Sequence, residues 1–182
     1  MVDGMLSVRH GKTVWSLKSM VKRIATLGES RLVLMAVDGG EDADYAFEWY
    51  ATHFHKAENR LLLVHCPETF ANVTMMSPGK VQELIKECEL KIKSIQDKYL
   101  DKMKALGIQG EFVRLDGDKP GHSIIECATS RNVTFIVTGT RGLSKIRRTI
   151  MGSVSDYIIH HSPVPVLVCR HKEDPKDGDK KH

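Results

Sequence analysis

Four cysteines are all the chain has, and the nearest two, Cys66 and Cys88, stand 22 positions apart. There is no C-x-x-C pair, and no secretory leader precedes them. Cys66, Cys88, Cys127 and Cys169 therefore read as free thiols in a reducing compartment, not as a disulfide framework. Long apolar runs are also missing. None approaches 18 residues, so no membrane-spanning helix is expected. The bases form no dense block: 27 Lys and Arg stand against 23 Asp and Glu, a net charge of +4, which calls for no nucleic-acid partner. Catalytic signatures are absent as well. There is no G-x-x-x-x-G-K-[ST] of a P-loop NTPase, no G-x-S-x-G, and no cluster of acids at strand ends of the kind a response regulator needs. Histidine is plentiful, but His53 and His55 sit two apart on a helical stretch and point different ways. His160 and His161 close another helix, where they suit its dipole. No metal site is expected.

What is present is 182 residues, 41% hydrophobic and 27% charged, enough for one globular domain with extensions. Residues 1–30 stand apart. Arg9, Lys12, Lys18, Lys22 and Arg23 face only Asp3 and Glu29, and Val14, Leu17, Val21 and Ile24 fall at helical spacing. This segment reads as a basic amphipathic extension packed on the domain or on a partner, with an organelle transit peptide as the alternative. From Arg31 the pattern turns regular. RLVLMAVD (31–38), RLLLVHC (60–66), QGEFVRLD (109–116), VTFIVT (133–138) and VPVLVCR (164–170) are short apolar strands. Between them lie helical patterns at 41–57, at 81–106 up to Gly107, from Pro120 through SIIECATSRN, and at SVSDYIIHH (153–161). Residues 171–182 are a charged tail that reads as disordered. Strands alternating with helices mean an α/β fold, a doubly wound parallel sheet covered on both faces. Helices on both faces force the strand order to reverse somewhere, and ligands bind there, beyond the carboxyl ends of the strands.

The residues after each strand therefore matter most. The first strand runs into Asp38-Gly39-Gly40 and the fourth into GTRGLSKIRRTIMGS, residues 139–153. That second stretch carries three glycines, three arginines and a lysine, and no carboxylate. Gly139 and Gly142 can adopt backbone angles other residues resist and can bring main-chain N–H groups close to a phosphate. Gly152-Ser153 then opens a helix whose free amides and dipole favour negative charge. Lys145, Arg147 and Arg148 strengthen the field. Composition alone leaves a glycine-rich turn with Ser153 as a plain helix cap equally open. For Asp38 taken alone, a capping role is the favoured reading; beside the glycine loop, ribose binding is favoured over it.

The spacing G-x2-G-x9-G-S (139–153) resembles the nucleotide-binding motif of the universal stress protein family, whose ATP-binding members carry G-x2-G-x9-G followed by Ser or Thr. The likeness runs over residues 31–170 and takes in MAVDGGEDADYA, LLLVHC, DGDKPGHSII and PVPVLVCR. It implies a five-stranded sheet ordered 3-2-1-4-5, a Rossmann-like fold of the adenine nucleotide alpha hydrolase-like type. It implies that Asp38, with Ala36 and Val37 beside it, meets adenosine, the carboxylate on ribose hydroxyls. It places the Cys66 backbone at the adenine. It places Thr138, Gly139, Arg141 and Gly142 along the phosphates, with Gly152, Ser153 and Val154 completing the cradle. One position departs from the family: Ser often stands two places after the first-strand Asp, and here that place is Gly40, which removes a hydroxyl or cap.

The resulting expectation is a cytoplasmic nucleotide-dependent regulatory module in the stress response. It binds ATP or AMP and pairs into a homodimer through its last strand, whose edge offers unpaired backbone groups. The alternative is a slow Mg²⁺-dependent ATPase, although no base that would orient water is evident. A scaffold without nucleotide is disfavoured by the intact motif.

Overall fold

Short runs of Leu, Val and Ile, too apolar to leave either face in water, build the centre of the molecule. The computed structural model describes residues 30–67, 76–140 and 151–170, with the backbone of 8–10 and 13–15. The chain divides into two compact units, Met1–Ser30 and Arg31–His182.

In the first unit β1 (Val8–His10) pairs antiparallel with β2 (Thr13–Trp15), placing Arg9 opposite Val14. The expected helical stripe therefore fails at Val14, which lies in an antiparallel strand pair and not in a helix. Leu17, Val21 and Ile24 lie outside the described residues, as does the tail from 171.

The second unit follows the expected alternation: β3 (Leu32–Ala36), α1 (Glu41–His53), β4 (Arg60–His65), α2 (Pro78–Ala105), β5 (Gly110–Arg114), α3 (Pro120–Ser130), β6 (Phe135–Gly139), α4 (Ser153–His161) and β7 (Val166–Cys169). All five strands pair in parallel in the order β5-β4-β3-β6-β7, which counted within this unit is 3-2-1-4-5. Alternate residues of each strand enter separate cores. Val33, Met35, Leu61, Leu63, Phe135 and Val137 pack with Phe47, Tyr50, Tyr99 and Met103 of α1 and α2. Leu34, Leu62, Val64 and Ile136 pack with Ile124 and Ala128 of α3 and Ile158 of α4. The sheet is thus buried on both sides.

The helix ends follow local chemistry. Glu41, Asp42 and Asp44 occupy the first turn of α1, favourable for its dipole. Its N-cap is Gly40, with no side-chain cap bond, consistent with the missing Ser. The pattern predicted this helix to residue 57. It stops at His53 because the N–H groups of Phe54 and His55 both turn back to the Tyr50 carbonyl. Pro120 opens α3 from the first turn, where its missing N–H is harmless. All four cysteines are unpaired. Among the described residues no helix is long and apolar enough to cross a membrane.

Leu62, in the middle of β4, is fully buried, whereas Leu90 on α2 is 60% exposed. Leu62→Ala is expected to lower the unfolding free energy by about 2–5 kcal/mol, and Leu90→Ala by less than about 0.5 kcal/mol, as read by urea denaturation.

Candidate functional site

β3 feeds α1 on one face of the sheet and β6 feeds α4 on the other, so the chain parts between their carboxyl ends. A cavity of about 430 Å³ opens there. That lies within the range of about 300–1,000 Å³ typical of small-molecule sites. Of the eleven site residues the sequence nominates, Ala36, Val37, Asp38, Cys66, Thr138, Gly139, Gly152, Ser153 and Val154 line this one cavity. Arg141 and Gly142 lie outside the described residues, as do Lys145, Arg147 and Arg148.

The two flanks of the motif are tied together. The Gly152 N–H donates to the Thr140 carbonyl at 2.7 Å, and the Ser155 hydroxyl donates to the same oxygen at 3.2 Å. Gly152 is the N-cap of α4, and the first bond of the helical ladder runs from Asp156 N–H to Gly152 C=O. The amides of Ser153, Val154 and Ser155 precede that ladder and supply the positive end of the helix dipole at the cavity wall. Ser153 is thus the first helical residue, not a cap, and no cap bond uses its hydroxyl.

Gly139 requires a different explanation from the one its motif suggests. Its φ is not in the left-handed region that favours glycine. A Cβ at this position would lie 2.7 Å from the Asp42 carbonyl oxygen, so close passage of the first turn of α1 is what demands glycine. The same contact brings in an acid that the basic stretch lacks: the Thr140 hydroxyl donates to Asp42 Oδ2 at 3.3 Å. The Thr138 hydroxyl is buried and donates to the Gly139 carbonyl at 3.1 Å.

At the other end, Asp38 sits in a tight turn with Gly39 at φ +83°. Its Oδ1 accepts the Gly40 N–H at 2.9 Å, and among the described residues no partner is found for Oδ2. The Cys66 thiol donates to the Gly117 carbonyl at 3.7 Å. Burial, with Asp116 nearby, pushes its pKa up, so it is a protonated donor and a poor nucleophile.

The sequence missed most of one wall. Leu84, Glu87, Cys88, Lys91 and Ile92 of α2 line the cavity, as does His65. The signal was the helix length. At 28 residues α2 rises about 42 Å, far beyond what five-residue strands can cover. Its buried residues start only at Ile92, leaving the first half to stand over the carboxyl end of the sheet.

His65 is buried, with Nδ1 2.8 Å from the Val37 carbonyl. Desolvation lowers its pKa below the ordinary value, against the opposing effects of the Val37 bond and Asp38, while Lys91 and Arg114 add to the lowering.

The comparisons agree with this architecture. The Universal stress protein family profile matches residues 29–170. The Universal stress protein YxiE of Bacillus subtilis is 30% identical over 146 residues, covering 76% of this chain and 97% of its own. A universal stress protein family protein from Arabidopsis thaliana, solved with AMP bound, superposes with a TM-score of 0.60 at 22% identity, covering 81% of this chain and 97% of its own. A universal stress protein in complex with cAMP gives 0.58 at 21%, covering 79% and 98%.

Gly139→Ala should destabilise the fold by about 1–3 kcal/mol, because the Asp42 backbone cannot move aside. Gly79→Ala, where a Cβ meets nothing within 4 Å, should not. Between the lowered folded pKa of His65 and the unfolded value of about 6.5, only the unfolded chain binds the proton. The His65 contribution is therefore complete above pH of about 6.5 and is lost as pH falls. Urea titrations from pH 7.5 to 5 should show a shallower decline for His65→Asn than for wild type.

Proposed function

The chain belongs to the universal stress protein family, and from that premise we propose that it binds an adenine nucleotide, ATP or AMP, and acts as a nucleotide-dependent regulatory module. The carrying observation is the convergence of nine nominated residues on one cavity at the strand-order reversal. Asp38 and the Cys66 backbone stand at the nucleoside end. Gly139, Gly152, Ser153 and Val154 stand at the phosphate end, with Arg141 and Gly142 assigned there by the motif. The α4 amides are the anion-binding element. AMP and cAMP in two relatives of the same fold support an adenine nucleotide. Binding regulates to the extent that the nucleotide favours one conformation or assembly over another.

The assembly in this reading is a homodimer through β7. Among the described residues that strand pairs with β6 alone, at the edge of the sheet. Its unpaired backbone groups are the surface a second copy would use.

Calorimetric titration with ATP, ADP and AMP, followed by phosphate release over hours, tests the reading. Binding without turnover is expected; steady release of phosphate would transfer the assignment to the slow ATPase, and absence of binding would overturn both. Gly142→Glu is expected to abolish ATP binding while the circular dichroism spectrum is retained, because a carboxylate then meets the phosphates. Asp38→Asn keeps an acceptor for the Gly40 N–H but removes the charge. It should weaken ATP binding by roughly ten- to a hundredfold, the size of a lost charge-assisted hydrogen bond.

A further inference from the structure

Val37 is one residue beyond the last register pair of β3 with β4, Ala36 with Val64. A chain running past the carboxyl end of its strand would ordinarily lose its lateral hydrogen bonds. Here both Val37 backbone groups remain tied to β4. Its N–H donates to the Val64 carbonyl at 2.9 Å, and its carbonyl meets His65 Nδ1 at 2.8 Å. The carbonyl can only accept, so Nδ1 carries the proton, and the neutral ring is held as one tautomer. A side chain thus replaces the main-chain donor the sheet no longer offers. His65 is itself anchored, because its own carbonyl accepts the Leu115 N–H at 2.8 Å.

The next residue is Asp38. It is constrained upstream by the tied Val37 and downstream by its bond to the Gly40 N–H. Between those two ties the carboxylate's second oxygen, for which no partner is found among the described residues, is left to address the cavity.

We infer that His65 is a positioning residue for ribose recognition: through Val37 it fixes where the Asp38 carboxylate stands and so sets discrimination between ribo- and 2′-deoxyribonucleotides. This rests on the nucleotide-binding reading above and adds to it a residue that acts through Val37 and Asp38. The charged groups around the ring are Asp38 from the β3–α1 turn, Lys91 from α2 and Arg114 from β5. Arg114 is paired with Glu89 and Asp116, and Lys91 lines the cavity. Burial outweighs Asp38's pull toward protonation and keeps the ring uncharged.

The test compares ATP and 2′-deoxy-ATP by calorimetry at pH 7.5 on wild type and on His65→Asn, His65→Gln, His65→Leu and Asp38→Asn. The Asn amide nitrogen can occupy the place of Nδ1, whereas the Gln nitrogen reaches the place of Nε2. Wild type is expected to prefer ATP by about tenfold or more, the worth of one good hydrogen bond. His65→Asn should keep that ratio. His65→Gln and His65→Leu should bring it toward one, as should Asp38→Asn. The double variant Asp38→Asn/His65→Leu should discriminate no less than Asp38→Asn alone, since both act on one contact. An unchanged ratio in His65→Leu, or equal loss in Asn and Leu variants, would overturn the assignment. If His65→Leu does not fold, the comparison of His65→Asn with His65→Gln decides in the same way. Wild type that binds both nucleotides equally would overturn the positioning role and leave nucleotide binding standing. Wild type that binds neither would overturn both.

Discussion

A parallel sheet with two apolar faces must be covered twice, and nearly everything else in this protein follows from that. Val33, Met35, Leu61, Leu63 and Val137 must be sealed by α1 and α2; Leu34, Leu62, Val64 and Ile136 must be sealed by α3 and α4. Successive crossovers can reach opposite faces only if the strand order reverses, and it reverses between β3 and β6. The two chains leaving those strands then diverge, and the space between them cannot be filled by either helix. The cavity is a consequence of covering the sheet, which is why ligand sites in such folds recur at this point.

That cavity would be ill-defined without ties across its rim, and two carry it. On the β6 side, the Gly152 N–H and the Ser155 hydroxyl converge on the Thr140 carbonyl, so the long insertion of the motif leaves and returns at one place. The twelve residues between Gly139 and Gly152 therefore do not separate these two glycines in space: both line the same cavity. On the β3 side, Val37 is held to β4 through main chain and through His65. Both ties are hydrogen bonds in partly or wholly buried surroundings, where losing one partner leaves the other unsatisfied. Recognition in this reading depends on these backbone positions as much as on the side chains that meet the ligand.

Much of this was legible beforehand, for identifiable reasons. The strands were readable because a strand buried on both faces is a continuous apolar run, and RLLLVHC or VTFIVT resembles little else. The start of α3 was readable from Pro120. The reading weakened wherever the deciding partner was distant in sequence. Gly139 looked like a glycine kept for backbone freedom, yet its reason is the Asp42 carbonyl on another element. The motif looked free of acid, yet the fold sets the Asp42 carboxylate against Thr140. Val14 fitted a helical stripe, yet lies in a strand pair, because three- and four-residue spacing in a short segment is weak against cross-strand pairing. Leu84, Cys88 and Ile92 fall in the helical pattern read at 81–106, but that pattern alone did not show that part of it faces a cavity.

The sequence by itself determined the element order, the doubly covered parallel sheet and the chemical character of its strand ends, because burial and periodicity are local properties of composition. It also carried the glycine spacing that identifies the family. Only the tertiary structure decided which of those ends meet, which side chains are already engaged and which remain to address a ligand. It engaged the Thr138 hydroxyl with the Gly139 carbonyl, made Gly152 rather than Ser153 the helix cap, and turned His65 from a strand terminus into a tie on Val37. The last is a contact between residues 28 positions apart, and no local pattern encodes it. It exists because packing both faces of one sheet brings separate strand ends within a hydrogen bond of each other.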